Sequence, residues 1–260
     1  MNLAALALSA LLATHGSVGR PVDAGRLGTV AQPESRANEH PTTLGGVFRA
    51  LPGDFRRLAM PDSLLVLGIG GGAALAVSPK DDDIARSISS DPNPLEEALD
   101  PGSVIGDGYV QVGAALGTLV IGRIASKKKV AALGADLLGA QLVNGVITVG
   151  LKAAVQRERP DGGNHSFPSG HSSATFATAS VLQRRFGWKV GLPAYAVGGY
   201  VAAARMKEGE HFLSDVIFGS AIGIVAGRAA TPGGLLRQWT ASVVPLRGGF
   251  VVMFLRRPAR

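Results

Sequence analysis

Apolar segments rich in glycine, alanine and serine dominate the middle of the sequence and limit the folds open to it. Small residues at this density allow helices to approach each other closely. Five long segments and one shorter stretch have helical character: 63–77, 104–124, 130–155, 190–206, 212–229 and 172–184. We therefore predict an all-α fold, an antiparallel bundle of about six helices.

The flanks of this helical region differ from it in composition. Residues 1–20 begin with an apolar stretch of signal-peptide length that lacks a basic start, so we interpret them as a signal peptide or an N-terminal apolar anchor. Residues 21–61 are rich in Pro, Arg and Gly and are interpreted as a linker or surface arm. Residues 62–230 form the helical domain. Residues 231–260 are a basic tail with two β-type runs, which favour a short C-terminal β-hairpin.

Composition also restricts the partners of the chain. Aromatic residues make up only 5%, which argues against a stacking platform for nucleic acid. The net charge of +7 indicates anionic partners, such as phosphorylated substrates or acidic lipid surfaces. The absence of cysteine excludes disulfides, thiolate chemistry and Cys-ligated zinc.

Three clusters of charged and polar residues fall near the ends of predicted helices. Alternating helices of a bundle run in opposite directions, so the ends that carry these clusters meet at one face. The sequence therefore predicts a single active site at one end of the bundle. Its residues are Lys152, Arg159, Ser169, Gly170, His171, Arg205, His211 and Asp215.

The cationic residues have the chemistry that phosphoryl transfer needs in the absence of a metal. Arg159 and Arg205 can bind phosphoryl oxygens in bidentate fashion, and Lys152 adds a compact charge. Ser169 offers a hydroxyl group. The backbone N–H of Gly170 lies at a predicted helix N-terminus, where anions are favoured.

The two histidines have the chemistry of a nucleophile and an acid. His211 and Asp215 are four residues apart, so they share one helix face, and the carboxylate can accept a hydrogen bond from the imidazole. The other ring nitrogen is then free to attack phosphorus. His171 is the candidate general acid for the leaving group. Structural alternatives are a helix N-terminal acid for Asp215 and a helix-end lysine for Lys152.

Two other charged features are interpreted as surface groups. The acidic run Asp81-Asp82-Asp83 lies in the region 78–102, which reads as a surface connection. Arg157 lies two residues before Arg159 and is interpreted as a surface loop charge.

Together the three clusters resemble those of the type 2 phosphatidic acid phosphatase (PAP2) superfamily, which includes bacterial acid phosphatases and vanadium haloperoxidases. The family pattern of Lys-x6-Arg-Pro, Pro-Ser-Gly-His and Ser-Arg-x5-His-x3-Asp is present, except that Ala204 replaces the serine before the second arginine. The resemblance implies a helical phosphatase domain over 62–230. It also implies His211 as nucleophile, His171 as acid, and no metal or other cofactor.

The function implied by this resemblance is a metal-independent phosphatase for phosphate monoesters or diphosphates that forms a phospho-histidine intermediate. Its predicted substrates are lipid phosphates, such as phosphatidic acid or a polyprenyl diphosphate. One alternative is a vanadate-dependent haloperoxidase with His211 as the axial ligand. Another is a non-catalytic envelope protein with a degenerate site, for which Ala204 is the only hint.

Two locations fit the apolar segments, a bundle embedded in a membrane and a periplasmic helical domain. Basic clusters at 56–57, 123–129 and 184–189 fall at one end of the predicted bundle, and the positive-inside rule places that end in the cytoplasm. A cleaved signal peptide would instead leave residues 56–57 outside. We predict export to the cell envelope and membrane association, with the active site facing the periplasm or the exterior.

Overall fold

The computed structural model describes residues 40–89, 99–231, 239–246 and 249–256. The predicted signal peptide or anchor, residues 21–39 of the predicted arm, and Arg257 and Arg260 of the basic tail lie outside these residues. The described helices are α1 (Leu44–Leu58), α2 (Pro61–Val77), α3 (Asp81–Ser89), α4 (Pro101–Gly106), α5 (Gly108–Ile124), α6 (Lys128–Val155), α7 (Gly170–Phe186), α8 (Trp188–Lys207) and α9 (Leu213–Ala230), with a 3₁₀ turn at Ser78–Lys80. The predicted all-α bundle is confirmed.

Local capping explains where several helices begin and end. The predicted segment 104–124 is divided by Asp107, whose carboxylate accepts hydrogen bonds from the backbone N–H groups of Tyr109 and Val110 at the start of α5. Ser169 caps α7 in a similar way. Gln156 adopts a left-handed conformation, with φ of 49°, and ends α6.

Helix α6 runs through the centre of the bundle and contacts α1, α5, α7 and α9. Its buried face consists mainly of small side chains, and these pack with residues of the neighbouring helices. The core contains Val47, Ala115, Leu119, Ala131, Ala135, Leu137, Leu138, Ala140, Val143, Ala177, Val181, Ala226 and Ala230. A core of alanines and valines brings the helix axes close together, as the small residues predicted.

Two glycines mark places where helix backbones touch directly. A Cβ atom at Gly134 of α6 would lie 2.2 Å from the backbone nitrogen of Leu119 in α5. A Cβ atom at Gly223 of α9 would lie 2.2 Å from the carbonyl oxygen of Ser173 in α7. Neither interface has room for a side chain, so glycine sets the spacing of both helix pairs.

Helix α1 lies in the stretch that the sequence predicted as part of a surface arm. Its residue Val47 is buried in the core, and Leu51, Phe55 and Leu58 pack against the same cluster. These positions recur at helical spacing, which is the signature of an amphipathic helix. The glycines, arginines and Pro52 between them obscured the pattern.

The C-terminal strands β1 (Trp239–Leu246) and β2 (Gly249–Arg256) pair in antiparallel register, with Leu246 opposite Gly249. This pairing agrees with the predicted hairpin. The two residues that connect the strands lie outside the described part of the chain.

Three helical stretches are long and apolar enough to cross a membrane: Pro61–Ile88, Lys128–Val155 and Leu213–Ala230. The first contains α2 and is only 17% buried within the protein. Its outward side chains include Leu65 and Leu75, which are 64% and 75% exposed. Apolar surface of this kind is typical of contact with lipid. The chain is membrane-associated.

Basic side chains gather at the end of the bundle where α9 stops. The guanidinium group of Arg57 donates to the carbonyl of Ala229, and that of Arg184 donates to the carbonyl of Thr231. Both arginines satisfy carbonyl groups that a helix C-terminus leaves unpaired. This basic end is opposite to the end where α9 begins.

A substitution at Gly223 tests the backbone contact between α7 and α9. We expect Gly223→Ala to lower the free energy of unfolding by about 2 kcal/mol, because the new methyl group overlaps the carbonyl of Ser173. Gly145→Ala is the control, since no atom lies within 4 Å of its added Cβ. Thermal unfolding in detergent measures both. Equal melting temperatures for Gly223→Ala and the wild type would contradict the contact.

Candidate active site

Four helix ends bring the predicted clusters to one face of the bundle. They are the C-terminal ends of α6 and α8 and the N-terminal ends of α7 and α9. A Cβ atom at Gly170 would lie 3.9 Å from Cε of Lys152, which places α7 against the end of α6. The backbone N–H of Ser169 donates to the carbonyl of Asp215 over 3.1 Å, which joins α7 to α9.

His211 lies just before α9 and is only 3% exposed. Its Nδ1 atom is 3.8 Å from Oδ2 of Asp215, longer than a hydrogen bond, and has no hydrogen-bond partner among the described residues. The predicted hydrogen bond is therefore not formed in this structure. The carboxylate is instead occupied by other donors, namely the backbone N–H of Phe212 at 2.9 Å, the hydroxyl of Ser166, and the guanidinium of Arg157 at 2.8 Å.

The two predicted phosphate-binding arginines meet at one carboxylate. Glu210 pairs through Oε2 with Nη1 of Arg159 and through Oε1 with Nη2 of Arg205, the latter at 3.2 Å. Arg205 also pairs with Glu208, the residue after the last turn of α8. The guanidinium groups thus converge on one point, which the sequence predicted, but an acidic side chain that it did not single out lies between them.

Lys152 extends from the last turn of α6 toward the loop that leads into α7. Its ammonium group donates to the backbone carbonyls of His165 and Ser166. His165 itself is exposed, as expected for a loop residue. The lysine therefore ties this loop to the end of α6.

The electrostatic environment lowers the pKa of both predicted catalytic histidines. Burial, followed by the charges of Arg205 and His211, lowers the pKa of His171 to about 4, and Asp107 opposes this effect. Burial is also the main cause of the lowered pKa of His211, which Asp215 opposes. Both rings are therefore neutral near pH 7 when no anion is bound. The charge of His211 contributes to the lowered pKa of His171, which indicates that the two rings lie in one electrostatic environment.

A second layer of residues, which the sequence interpretation missed, holds Asp215 in place. Arg157 bridges Asp215 and Asp81, with an Nη2–Oδ2 distance of 2.9 Å to Asp81, and lies 4.2 Å above the ring of Phe212. Asp81 is 1% exposed and accepts a hydrogen bond from the backbone N–H of Ser214 at 3.1 Å. Arg157 and Asp81 were both predicted to be surface charges. That prediction is wrong for both, because Asp81 is buried and Arg157 is only partly exposed and pairs with it.

Ala204, the departure from the family pattern, is fully buried at the end of α8. A Cβ atom at Gly102 of α4 would lie 2.7 Å from the Ala204 methyl group. Helix α4 therefore packs over this part of α8 and covers the methyl group of Ala204.

The described residues contain no group of three or more His, Asp or Glu side chains that could hold a metal ion. Metal independence remains a prediction from the residue types of the site.

Residues 133–237 match the sequence profile of the PAP2 superfamily. We call this matched part of the chain the PAP2 domain. The matched range contains every predicted site residue, and the resemblance predicted from the motifs is confirmed.

Two curated relatives share sequence with part of this chain. A lipid A 1-phosphatase of Porphyromonas gingivalis is 38% identical over 101 residues, which are 36% of this chain and 22% of that protein. A lipid A 4'-phosphatase of Helicobacter pylori is 32% identical over 102 residues, which are 35% of this chain and 51% of that protein. The matched segments thus span about half or less of these relatives.

A solved structure supports the fold. The transmembrane PAP2-type phosphatidylglycerolphosphate phosphatase of Bacillus subtilis superposes with a TM-score of 0.53 and 22% identity, covering 64% of this chain and 91% of that one. At this identity the similarity supports the helical architecture alone.

Replacing Asp81 tests the second layer around the PAP2 site. We expect Asp81→Ala to lower the free energy of unfolding by about 3 kcal/mol, because it leaves Arg157 without one of its two buried partners. Asp83→Ala is the matched control, since Asp83 is exposed and pairs with Arg86 on the same helix; we expect a change below about 0.5 kcal/mol. Chemical unfolding in detergent compares them. Similar losses of unfolding free energy in the two variants would count against the network of Asp81, Arg157 and Asp215.

The lowered pKa of His171 predicts how stability depends on pH. Between pH 6.5 and about 4 the unfolded chain binds a proton at this residue that the folded protein does not, so acidification through this window favours unfolding. We expect His171→Asn to make the fall in melting temperature over this range shallower. His165→Asn, at an exposed loop position, controls for the loss of an imidazole. Parallel curves of melting temperature against pH for His171→Asn and the wild type would contradict the lowered pKa of His171.

Proposed function

We propose that the PAP2 domain is a metal-independent phosphatase that hydrolyses lipid phosphates through a phospho-histidine intermediate. One observation carries the proposal: a buried imidazole, a second imidazole and two convergent guanidinium groups lie at the same end of the bundle. Phosphoryl transfer requires fixed positive charge around the equatorial oxygens and a nucleophile in line with the leaving group. This set of side chains supplies both.

The cations bind and orient the phosphoryl group in this scheme. Arg159 and Arg205 donate to two of its oxygens, and Lys152 contributes a third positive charge from α6. The backbone N–H of Gly170 lies at the N-terminus of α7, where the helix dipole favours an anion. The absence of a side chain at Gly170 permits close approach of the phosphate.

Nε2 of His211 then attacks phosphorus, and the bond between phosphorus and the ester oxygen breaks. The leaving oxygen takes a proton from His171, which gives an alcohol and a phospho-histidine at residue 211. His171 next accepts a proton from water, which attacks phosphorus and releases inorganic phosphate. Asp215 stabilises the positive charge on His211. For a hydrogen bond between them, Nδ1 of His211 must move about 1 Å closer to Oδ2 of Asp215 than the observed 3.8 Å.

The lowered pKa of His171 fits this cycle when the charge of the substrate is included. Without an anion, burial and Arg205 favour the neutral ring. A phosphate dianion in the site offsets the nearby positive charge and raises the pKa, so the ring gains its proton as substrate binds. The acid form is then present when the leaving group needs it.

A lipid substrate is supported by the apolar exterior of the bundle and by the relatives, two of which are lipid A phosphatases. We propose a phosphate group on a membrane lipid, with phosphatidic acid, polyprenyl diphosphates and lipid A as members of this class to be tested.

The orientation in the membrane follows from the basic clusters. The positive-inside rule places the end of the bundle that contains Arg57 and Arg184 in the cytoplasm. The active site would then face the periplasm or the exterior. The predicted division into residues 1–20, 21–61, 62–230 and 231–260 is part of this proposal.

The test is a panel of soluble phosphate esters and lipid phosphates, assayed with the full chain in detergent and EDTA. We expect phosphate release from lipid substrates, a loss of at least about a thousandfold in His211→Ala, and retained activity in the control His165→Ala. Acid-labile phosphate bound to the wild type would support the intermediate.

Other outcomes identify the alternatives. Absence of phosphate release from every substrate, with identical behaviour of the wild type and His211→Ala, would overturn the proposal. Halide oxidation that requires added vanadate and peroxide would favour a haloperoxidase. Phosphate or vanadate binding without turnover would favour a degenerate, non-catalytic site.

A further inference from the structure

The PAP2 site contains a carboxylate at the position that the proposed function assigns to phosphate. Each oxygen of Glu210 pairs with a different arginine, Oε2 with Arg159 and Oε1 with Arg205. Two guanidinium groups that converge on two oxygens of one planar anion are arranged as they would be for two oxygens of a phosphoryl group. Glu210 therefore occupies the two arginines that are proposed to bind phosphate.

The backbone keeps this carboxylate within reach of the site. The N–H of Glu210 donates to the carbonyl of Arg205 over 3.1 Å, and the N–H of Asp161 donates to the carbonyl of Gly209 over 3.1 Å. Gly209 turns the chain with φ of 70°. These bonds fix the short segment between α8 and His211. The Glu210 side chain is 27% exposed and borders water, so it can turn outward once an anion takes its place.

We propose that Glu210 is a displaceable internal competitor for the phosphate subsite, and this inference rests on the proposed phosphatase function. A phosphate dianion carries more charge than a carboxylate and offers more oxygens, so it displaces Glu210 from both arginines. Every bound phosphate must nevertheless overcome these two ion pairs. Glu210 thereby lowers the affinity of the site for phosphate groups in general.

Substrate and product meet the same cost of displacement, but they differ in the binding free energy that can offset it. A lipid phosphate gains binding free energy from its apolar chains, which offsets the loss of the Glu210 ion pairs. Inorganic phosphate has only its oxygens with which to bind. After hydrolysis, the carboxylate returns to Arg159 and Arg205 and favours release of the product. Glu210 thus weakens the binding of inorganic phosphate and favours its release.

The test compares Glu210→Gln with the wild type and with Glu208→Gln. The two variants remove the same charge near Arg205, but Glu208 pairs only with Arg205 among the described residues, so its replacement leaves the Glu210 bridge intact. Inorganic phosphate is titrated into each full-length protein by calorimetry, and its inhibition constant is measured against a lipid substrate. We expect Glu210→Gln to bind phosphate about tenfold more tightly, and Glu208→Gln to change by less than about threefold.

The outcomes separate this inference from the proposed function. If the wild type binds phosphate and Glu210→Gln binds it no more tightly, or more weakly, the competitor role is overturned and the phosphatase proposal stands. If neither protein binds phosphate or hydrolyses any ester, both proposals fall. Equal gains in phosphate affinity in the two variants would point to the loss of net charge alone and would also overturn the specific role of Glu210. An unchanged melting temperature in Glu210→Gln would exclude a merely structural effect.

Discussion

The arrangement of the site depends on one buried carboxylate, that of Asp215 in the first turn of α9. It is fully buried, and its oxygens accept hydrogen bonds from Arg157, Ser166 and the backbone of Phe212. Removing a negative charge from water is costly unless donors surround it. These donors come from the loop before α7 and from α9 itself, so satisfying one charge fixes both segments. Ser169 joins the same network through the backbone.

The packing of the bundle makes this network possible. Small residues allow α6, α7 and α9 to lie close together, so loops at their ends reach across one another. Side chains of ordinary size at the helix contacts would separate the ends and lengthen every distance in the site. The low content of charged residues, 17%, has the same origin, since most of the surface of these helices contacts other helices or lipid.

The sequence revealed the helices and the convergent site because both leave strong patterns. Apolar segments with small residues predicted α2 and α5 to α9, and the polarity of their ends predicted one shared face. It did not reveal α1, whose apolar positions are masked by glycine and Pro52. It also missed Asp81, since an acidic run in a connecting region is usually solvated. No local pattern indicates that this carboxylate meets Arg157, which is 76 residues away. The position of Glu210 next to His211 was the one available signal for its place in the site.

The contact between α7 and α9 also affects how a substrate reaches the site. Their backbones touch at Gly223, and α9 contacts the backbone of Ser169 at Gly219 in the same way. A hydrocarbon chain is about 4–5 Å wide, comparable to the spacing of packed strands, and this seam has no such opening. The two helices are therefore in direct contact beside the end of the bundle that carries the candidate site. A lipid substrate, as proposed above, would enter from another side of the bundle, so the glycines that hold the helices together would also determine its route of entry.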